Sequence, residues 1–241
     1  MEQTYQGIFE RYEKKYLLTA EQYRKVRTAL DGTMEVDDYG ETTILNIYYD
    51  TPDYRLIRRS LEGPVYKEKL RLRCYGIPQE DSPAFIELKK KYRGIVYKRR
   101  ISVPYREGVR FLQNGETAES QIGKEVSYFR KVHTGLEPKM VIACERIAMA
   151  GVQDPDLRIT FDRNIRWRDH DLDLTAGSDG KMVMEKGQIL MEVKIKDALS
   201  YRFARLFSES GIFPCSFSKY GRAYQQYLTE ERKQQSRKRT A

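Results

Sequence analysis

Histidine is the scarcest of the usual catalytic residue types in this chain: His133 and His170 are the only two among 241 residues. Two imidazoles are too few for a His-rich metal centre. With no serine or cysteine nucleophile constellation beside them, the common acyl-transfer arrangements are excluded as well. Cysteine is nearly as sparse. Cys74, Cys144 and Cys215 are odd in number and widely spaced, so they form neither a metal-ligand pair nor a disulfide framework; a reducing, cytoplasmic setting is expected. No run approaches the roughly 20 apolar residues that span a bilayer, and the opening MEQTYQGIFERYEKKYLL has no apolar leader core. No repeat or Pro/Gly/Ser-rich linker divides the chain. The expectation is one domain over residues 1–241, with a basic, flexible tail from about 230 to 241.

What the chain has in excess is positive charge. Lys and Arg number 44 against 35 acidic residues, a formal charge of +9, while hydrophobic residues make up 40% and charged residues 33%. Such a balance fits a globular but ionic protein with an anionic partner. Any chemistry must run on Lys, Arg and carboxylates.

Alternating segments predict strands over 11–18, 43–49, 66–75, 84–92, 95–103, 140–148, 157–162, 166–172 and 189–195, with a hairpin at Lys91-Tyr92-Arg93-Gly94. Helical periodicity predicts helices over about 20–31, 119–133, 198–210 and 219–233. Side chains alternate across a strand, so parity identifies those sharing a face. Lys67, Lys69, Arg71 and Arg73 share one face, and Leu70, Leu72 and Cys74 lie opposite with Glu68. Phe85, Glu87, Lys89 and Lys91 oppose Ile86 and Leu88; Lys98, Arg100 and Ser102 oppose Ile95, Tyr97, Ile101 and Val103. Glu192 and Lys194 oppose Ile189, Met191, Val193 and Ile195; Arg11, Glu13 and Lys15 share a face near the start, and Arg158, Thr160 and Asp162 do so later.

Charge on one face and apolar side chains on the other is the ordinary pattern of a half-solvated sheet. Solvated faces usually interleave both signs, however, and these are strongly biased to Lys and Arg. Like charges on adjacent strands repel, so several such strands side by side call for an anion between them. The fold class expected is mainly β (α+β): an antiparallel β-barrel whose lumen carries the cations and whose helices pack outside.

In this order and spacing, FERYEKKYLL, YYDTPDYRLIRRSLEG, KLRLRCYG, FIELKKKYRGIVYKRRI, ACERIAM, DLRITFDRNIRW, ILMEVKIKD and SFSKYGRAY resemble the triphosphate tunnel superfamily. More narrowly they resemble the catalytic domain of the vacuolar transporter chaperone (VTC) polyphosphate polymerases and their bacterial relatives, over nearly the whole chain. The resemblance implies an eight-stranded antiparallel tunnel open at both ends. It implies a metal-dependent polyphosphate polymerase that passes the γ-phosphoryl of ATP to a growing chain, with Mn²⁺ or Mg²⁺. By position in the motifs, Lys15, Arg71, Arg73, Lys89, Lys98 and Arg146 match catalytic phosphate-clamping residues. Arg11, Arg59 (or Arg58), Lys69, Arg158, Lys194, Ser218 and Lys219 match phosphate or nucleotide contacts. Glu192 matches the metal-binding carboxylate, and Glu87 or Glu13 is a further candidate ligand beside it, each of the three also able to serve as an ion-pair partner.

There are departures. Hydrolytic and cyclase branches usually begin Glu-x-Glu-x-Lys, whereas Arg11-x-Glu13-x-Lys15 has one carboxylate fewer, which favours the polymerase branch. Ser216 stands where eukaryotic polymerases carry a lysine, and Cys144 where an aromatic hydroxyl can sit. The partners implied are ATP and polyphosphate or triphosphate, with a membrane protein as a further partner to consider. An inorganic or nucleoside triphosphatase in the same tunnel, and a non-catalytic polyphosphate or inositol-pyrophosphate binding domain, are the alternatives. Nucleic acid is not expected, because the 18 tyrosines are scattered rather than gathered into a base-stacking platform and no recognition motif is present. Trp167 is expected to pack and His133 to end a surface helix.

Overall fold

The computed structural model describes residues 12–93, 95–115, 120–154, 156–196 and 198–240. Nine strands are found among them: β1 (Tyr12–Leu18), β2 (Met34–Asp50), β3 (Tyr66–Tyr75), β4 (Pro83–Tyr92), β5 (Ile95–Pro104), β6 (Glu137–Gly151), β7 (Arg158–Arg168), β8 (Lys181–Met182) and β9 (Ile189–Ile195). The helices are α1 (Ala20–Leu30), α2 (Arg55–Leu61), α3 (Tyr105–Asn114), α4 (Gln121–Val132), α5 (Tyr201–Glu209) and α6 (Lys219–Thr240). None is long and apolar enough to cross a membrane.

All strand pairs are antiparallel, in the order β1-β9-β7-β6-β2-β3-β4-β5, with the short β8 paired to β7. The sheet curls strongly. Among the described residues β1 and β5 are not hydrogen-bonded to each other, yet Glu13 on β1 reaches Lys89 on β4 at 3.6 Å. The two ends of an eight-strand path are thus brought face to face, which gives the sheet an inside and an outside.

Parity divides the residues between these sides. On the outside of β2, β3 and β4, Leu45, Ile47, Leu70, Leu72, Ile86 and Leu88 are buried beneath Leu112 of α3 and Val126 and Phe129 of α4. On the outside of β1, β7 and β9, Leu18, Phe161, Met191 and Val193 are buried under Val26 and Leu30 of α1 and Phe203 and Phe207 of α5. Helix α1 begins on a capping box in which Thr19 and Gln22 satisfy each other's backbone N–H groups.

Helix α6 occupies a different position. Its Tyr220, Ala223 and Tyr224 pack on Tyr48, Met140, Ile142, Cys144 and Leu190, which face inward. The inner face is therefore apolar where α6 lies and charged beyond it, which qualifies the expectation of a bore open along its whole length. Trp167 is buried in this cluster and donates to Gln226 at 2.6 Å, a packing role as expected.

The structure departs from the sequence reading in three elements. The expected strands 157–162 and 166–172 fall on the single strand β7, which ends at Arg168, because a register shift after Ala143 and a left-handed Asn164 (φ 48°) reverse the alternation midway. Helix α2 has seven residues and an N-cap residue, Tyr54, whose side chain makes no cap bond, so it leaves no local terminal signal in the sequence. Helix α3 follows Pro104, and its Gly108 lies so close to the sheet that a Cβ there would meet Leu72 at 3.0 Å and Val103 at 3.1 Å.

Asp50 joins three elements. Its carboxylate accepts from the backbone N–H groups of Thr51 (2.8 Å), Leu56 (2.8 Å) and Ile57 (3.0 Å) and from the Tyr220 hydroxyl (3.0 Å). Burial still holds its pKa above the usual carboxylate value. Asp50→Ala strips these buried donors of their acceptor, and a loss of about 3 kcal/mol or more is expected in a denaturant melt.

Candidate functional site

The charged part of the inner face contains two clusters. The first is centred on Glu87, whose side chain is 1% exposed. Register places Glu87 between Arg71 of β3 and Arg100 of β5. Arg71 bonds it through Nε at 2.7 Å and a terminal nitrogen at 2.5 Å, Lys98 lies at 2.6 Å, Arg100 at 3.6 Å and Arg73 at 3.8 Å. Burial alone would raise the Glu87 pKa, but Arg71, Arg73 and Lys98 override it and hold the carboxyl well below its usual range. Arg71 also donates to the Tyr48 hydroxyl at 3.1 Å. Arg73 donates through Nε to Asn46 at 2.9 Å, and its terminal nitrogens make no hydrogen bond among the described residues.

The second cluster joins β1, β6, β7 and β9 to the start of α6. Lys219 pairs with Asp162 at 2.5 Å and Glu192 at 2.9 Å, and Arg146 grips Asp162 with two bonds of 2.6 and 2.7 Å while lying 3.7 Å from Glu192. Lys15 donates to the Phe217 carbonyl at 3.0 Å and lies 3.4 Å from Glu13 and 3.6 Å from Glu192. Burial opposes ionisation of Asp162, Glu192 and Glu13, yet the surrounding cations keep all three pKa values below normal.

Between the clusters the cations outnumber their partners. Lys69 pairs in register with Lys89, and Lys67 with Lys91. Lys69 donates to Ser218 Oγ at 2.9 Å, but burial, followed by Lys89, Lys15, Lys67 and Arg71, pushes its pKa down to about 7. Burial also lowers Lys98 to about 8 despite Glu87. Lysines whose charged form is disfavoured inside a curled sheet mark a site short of negative charge.

A family model described as the VTC domain matches residues 10–228. The chain belongs to the VTC domain family. No curated protein matches it. Among solved structures, a candidate adenylate cyclase from Bacillus halodurans superposes with a TM-score of 0.53 at 12% identity, covering 87% of this chain and 96% of that one. A candidate adenylate cyclase from Vibrio parahaemolyticus gives 0.47 at 15% identity, with 91% and 99% covered. A candidate adenylyl cyclase from Hippeastrum, described as having a dominant triphosphatase activity, gives 0.48 at 14% identity, with 87% and 93% covered. The first of these likenesses supports the tunnel fold.

In this VTC domain the structure gathers most of the residues singled out from sequence. Lys15, Lys69, Arg71, Arg73, Lys89, Lys98, Arg146, Ser218, Lys219, Glu13, Glu87 and Glu192 all take part in the two clusters or the lysine rungs between them. Lys194 and Arg158 face each other in register on β9 and β7, farther along the same face. Arg59 sits exposed on α2 and makes no ion pair with either cluster among the described residues; Arg11 lies outside the described residues. Asp162 is a site residue that the motifs do not mark, although its parity with Arg158 and Thr160 puts it on the charged face. Tyr48 and Asn46 carry no charge signal, and only the pairing of β2 with β3 brings them to Arg71 and Arg73. His133 caps α4 and contacts Glu68 at 3.1 Å, while His170 is exposed, so neither enters the charged clusters.

Glu87→Gln leaves four buried or half-buried cations facing one another. A loss of about 3–5 kcal/mol in the ligand-free protein is expected, with partial recovery on adding tripolyphosphate in a thermal melt. A second expectation follows from Lys69. A polyanion restores its proton, so binding takes up a proton from about pH 7 upward and affinity falls as pH rises. Calorimetry in buffers of different ionisation enthalpy measures that uptake, and Lys69→Met is expected to reduce it.

Proposed function

We propose that this VTC domain is a polyphosphate polymerase, an ATP-polyphosphate phosphotransferase that moves the γ-phosphoryl of ATP onto a polyphosphate chain held on the charged inner face. The observation that carries this reading is a dense phosphate cradle whose described carboxylates are all engaged by cations. Glu13, Glu87, Asp162 and Glu192 are all held ionised by cations, which makes them poor proton acceptors near neutrality. Lys69 is the inner-face group nearest neutrality, and an arriving phosphate re-protonates it. Water as the attacking group would need a general base. The terminal phosphate of a chain is already ionised and does not.

The residues have divisible roles in the transfer. Arg73, whose terminal nitrogens make no hydrogen bond among the described residues, grips phosphate oxygens bidentately; Lys89 and Lys98 act as point charges beside it. Arg71 is braced between Glu87 and Tyr48 and supplies a fixed positive field. Arg146, Lys15 and Lys219 surround Glu192 and hold it in place. An oxygen of the chain's last phosphate attacks the γ-phosphorus. The bond from that phosphorus to the β–γ bridging oxygen breaks, and ADP leaves with the electron pair.

Among the described residues no group of three or more His, Cys, Asp or Glu side chains could hold an ion by itself. Mg²⁺ or Mn²⁺ would be held by Glu192 with Glu13, since such ions are commonly bound by one or two carboxylates completed by substrate phosphates and water. Glu87, engaged by cations as Glu192 is, is the remaining candidate. The ion, when bound, neutralises charge on the phosphates.

Purified protein given ATP and Mn²⁺ is expected to yield ADP together with acid-insoluble polyphosphate. ADP with free phosphate alone selects the triphosphatase, and binding without ADP release selects a binding domain. Glu192→Gln and Arg73→Lys are expected to lose at least about tenfold in kcat/KM, with far-ultraviolet circular dichroism unchanged. Wild-type rates in both variants overturn the roles assigned to Glu192 and Arg73.

A further inference from the structure

The tyrosines that are scattered in sequence are partly gathered by the fold. Tyr75 ends β3, and Phe85 lies near the start of β4, opposite Ser102 of β5. Parity places Tyr75 on the same face as Arg71 and Arg73, and Phe85 on the same face as Glu87. Their rings meet edge to face with centroids 5.6 Å apart, and Tyr39 from the irregular stretch of β2 lies parallel to Tyr75 at 6.3 Å and 21°. The Arg100 guanidinium lies 3.4 Å over the Phe85 ring and 5.7 Å from the Tyr75 ring, and donates to the Tyr75 hydroxyl at 3.4 Å. Tyr39 is 75% exposed and Tyr75 43% exposed, so this aromatic group opens to solvent.

We propose that this aromatic end of the inner face binds the purine base of the nucleotide donor. The inference rests on the phosphate-handling reading above and adds which end receives ATP. Three features support a base rather than another ligand. The rings are flat and accessible, and a purine stacks on such faces irrespective of hydrogen-bond pattern. Arg100 adds a guanidinium plane, which pairs with aromatic rings and with bases alike. The spacing also fits. Tyr75 is two residues from Arg73 on one strand, about 7 Å at the rise of an extended chain, a separation that a ribose and its first phosphate can bridge.

Toward the opposite end the inward-facing rings, Tyr48 and Tyr220, are buried against each other and do not open to solvent. There Lys67 and Lys91, paired in register, line with Arg93 a pocket of about 400 Å³ in which no carboxylate takes part. A base at Tyr75 therefore points the triphosphate toward Arg73 and the lysine rungs, and the growing chain toward Lys67 and Lys91.

The test compares two ligands of similar phosphate charge. Calorimetry is run with Mg²⁺ and either the β,γ-imido analogue of ATP or inorganic tripolyphosphate, on the wild type, Tyr39→Ala, Tyr75→Ala and Tyr75→Phe. Expected is a fall of about tenfold in the affinity ratio of analogue to tripolyphosphate for Tyr75→Ala. A smaller fall is expected for the exposed Tyr39→Ala, with recovery in Tyr75→Phe. An unchanged ratio in both alanine variants overturns the base site and leaves the phosphate site standing. Wild-type protein that binds neither ligand overturns the phosphate-handling reading itself.

Discussion

Mutual repulsion among cations on the concave side of a curled sheet is the constraint to which the rest of the structure answers. On an open sheet each lysine would turn to water and the repulsion would be screened. Here β3, β4 and β5 set Lys67 beside Lys91, and Lys69 beside Lys89 and Lys98, on a face that β1 and α6 close over. Burial and neighbouring cations disfavour the protonated form of Lys69, burial that of Lys98, and four carboxylates offset part of the rest. What is left over is attraction for a polyanion, so stability of the empty protein and affinity for phosphate are opposed quantities.

The apolar end of the inner face explains how such a site stays rigid. Tyr220 of α6 stacks on Tyr48 with centroids 4.7 Å apart and donates to Asp50, while the Tyr48 hydroxyl accepts from Arg71. One continuous set of contacts thus runs from the buried Asp50, through two stacked rings, to an arginine of the phosphate cluster. The first residues of α6 then carry Lys219 into the carboxylates, and the preceding Ser218 reaches Lys69. A helix that plugs the inner face also supplies part of its chemistry.

The inner and outer faces are legible in the sequence because a strand's side-chain period is two and the apolar parity is nearly uninterrupted in β3, β4 and β9. Arg71, Arg73, Glu87 and Glu192 can be placed on one surface from that period alone. Legibility fails where the period breaks or the signal is not charge. The shift after Ala143 and the left-handed Asn164 split β7 into two apparent strands. Helix α2 follows Tyr54, whose left-handed backbone and non-capping side chain give no start signal, and its first N–H groups are taken by Asp50 and Thr51 farther upstream. The grouping of Tyr39, Tyr75 and Phe85 depends on three different strands and on a bulge in β2. No local pattern encodes it.

The two arginines of β3 illustrate how the same residue type, two positions apart, takes on different work. Arg71 commits its donors to Glu87 and Tyr48, so its charge is fixed but its hydrogen-bonding capacity is largely used. Among the described residues Arg73 is hydrogen-bonded at Nε alone, by a neutral Asn46 amide oxygen, with Glu87 at the longer 3.8 Å. A phosphate arriving between them meets one arginine that must break existing bonds to respond and one that need not. Reorganisation of that kind costs free energy at the moment of binding, whereas a pre-positioned donor does not. Arg73 is therefore the gripping member of the pair and Arg71 its strut, and Glu87, by engaging Arg71 more closely than Arg73, is the residue that enforces the distinction.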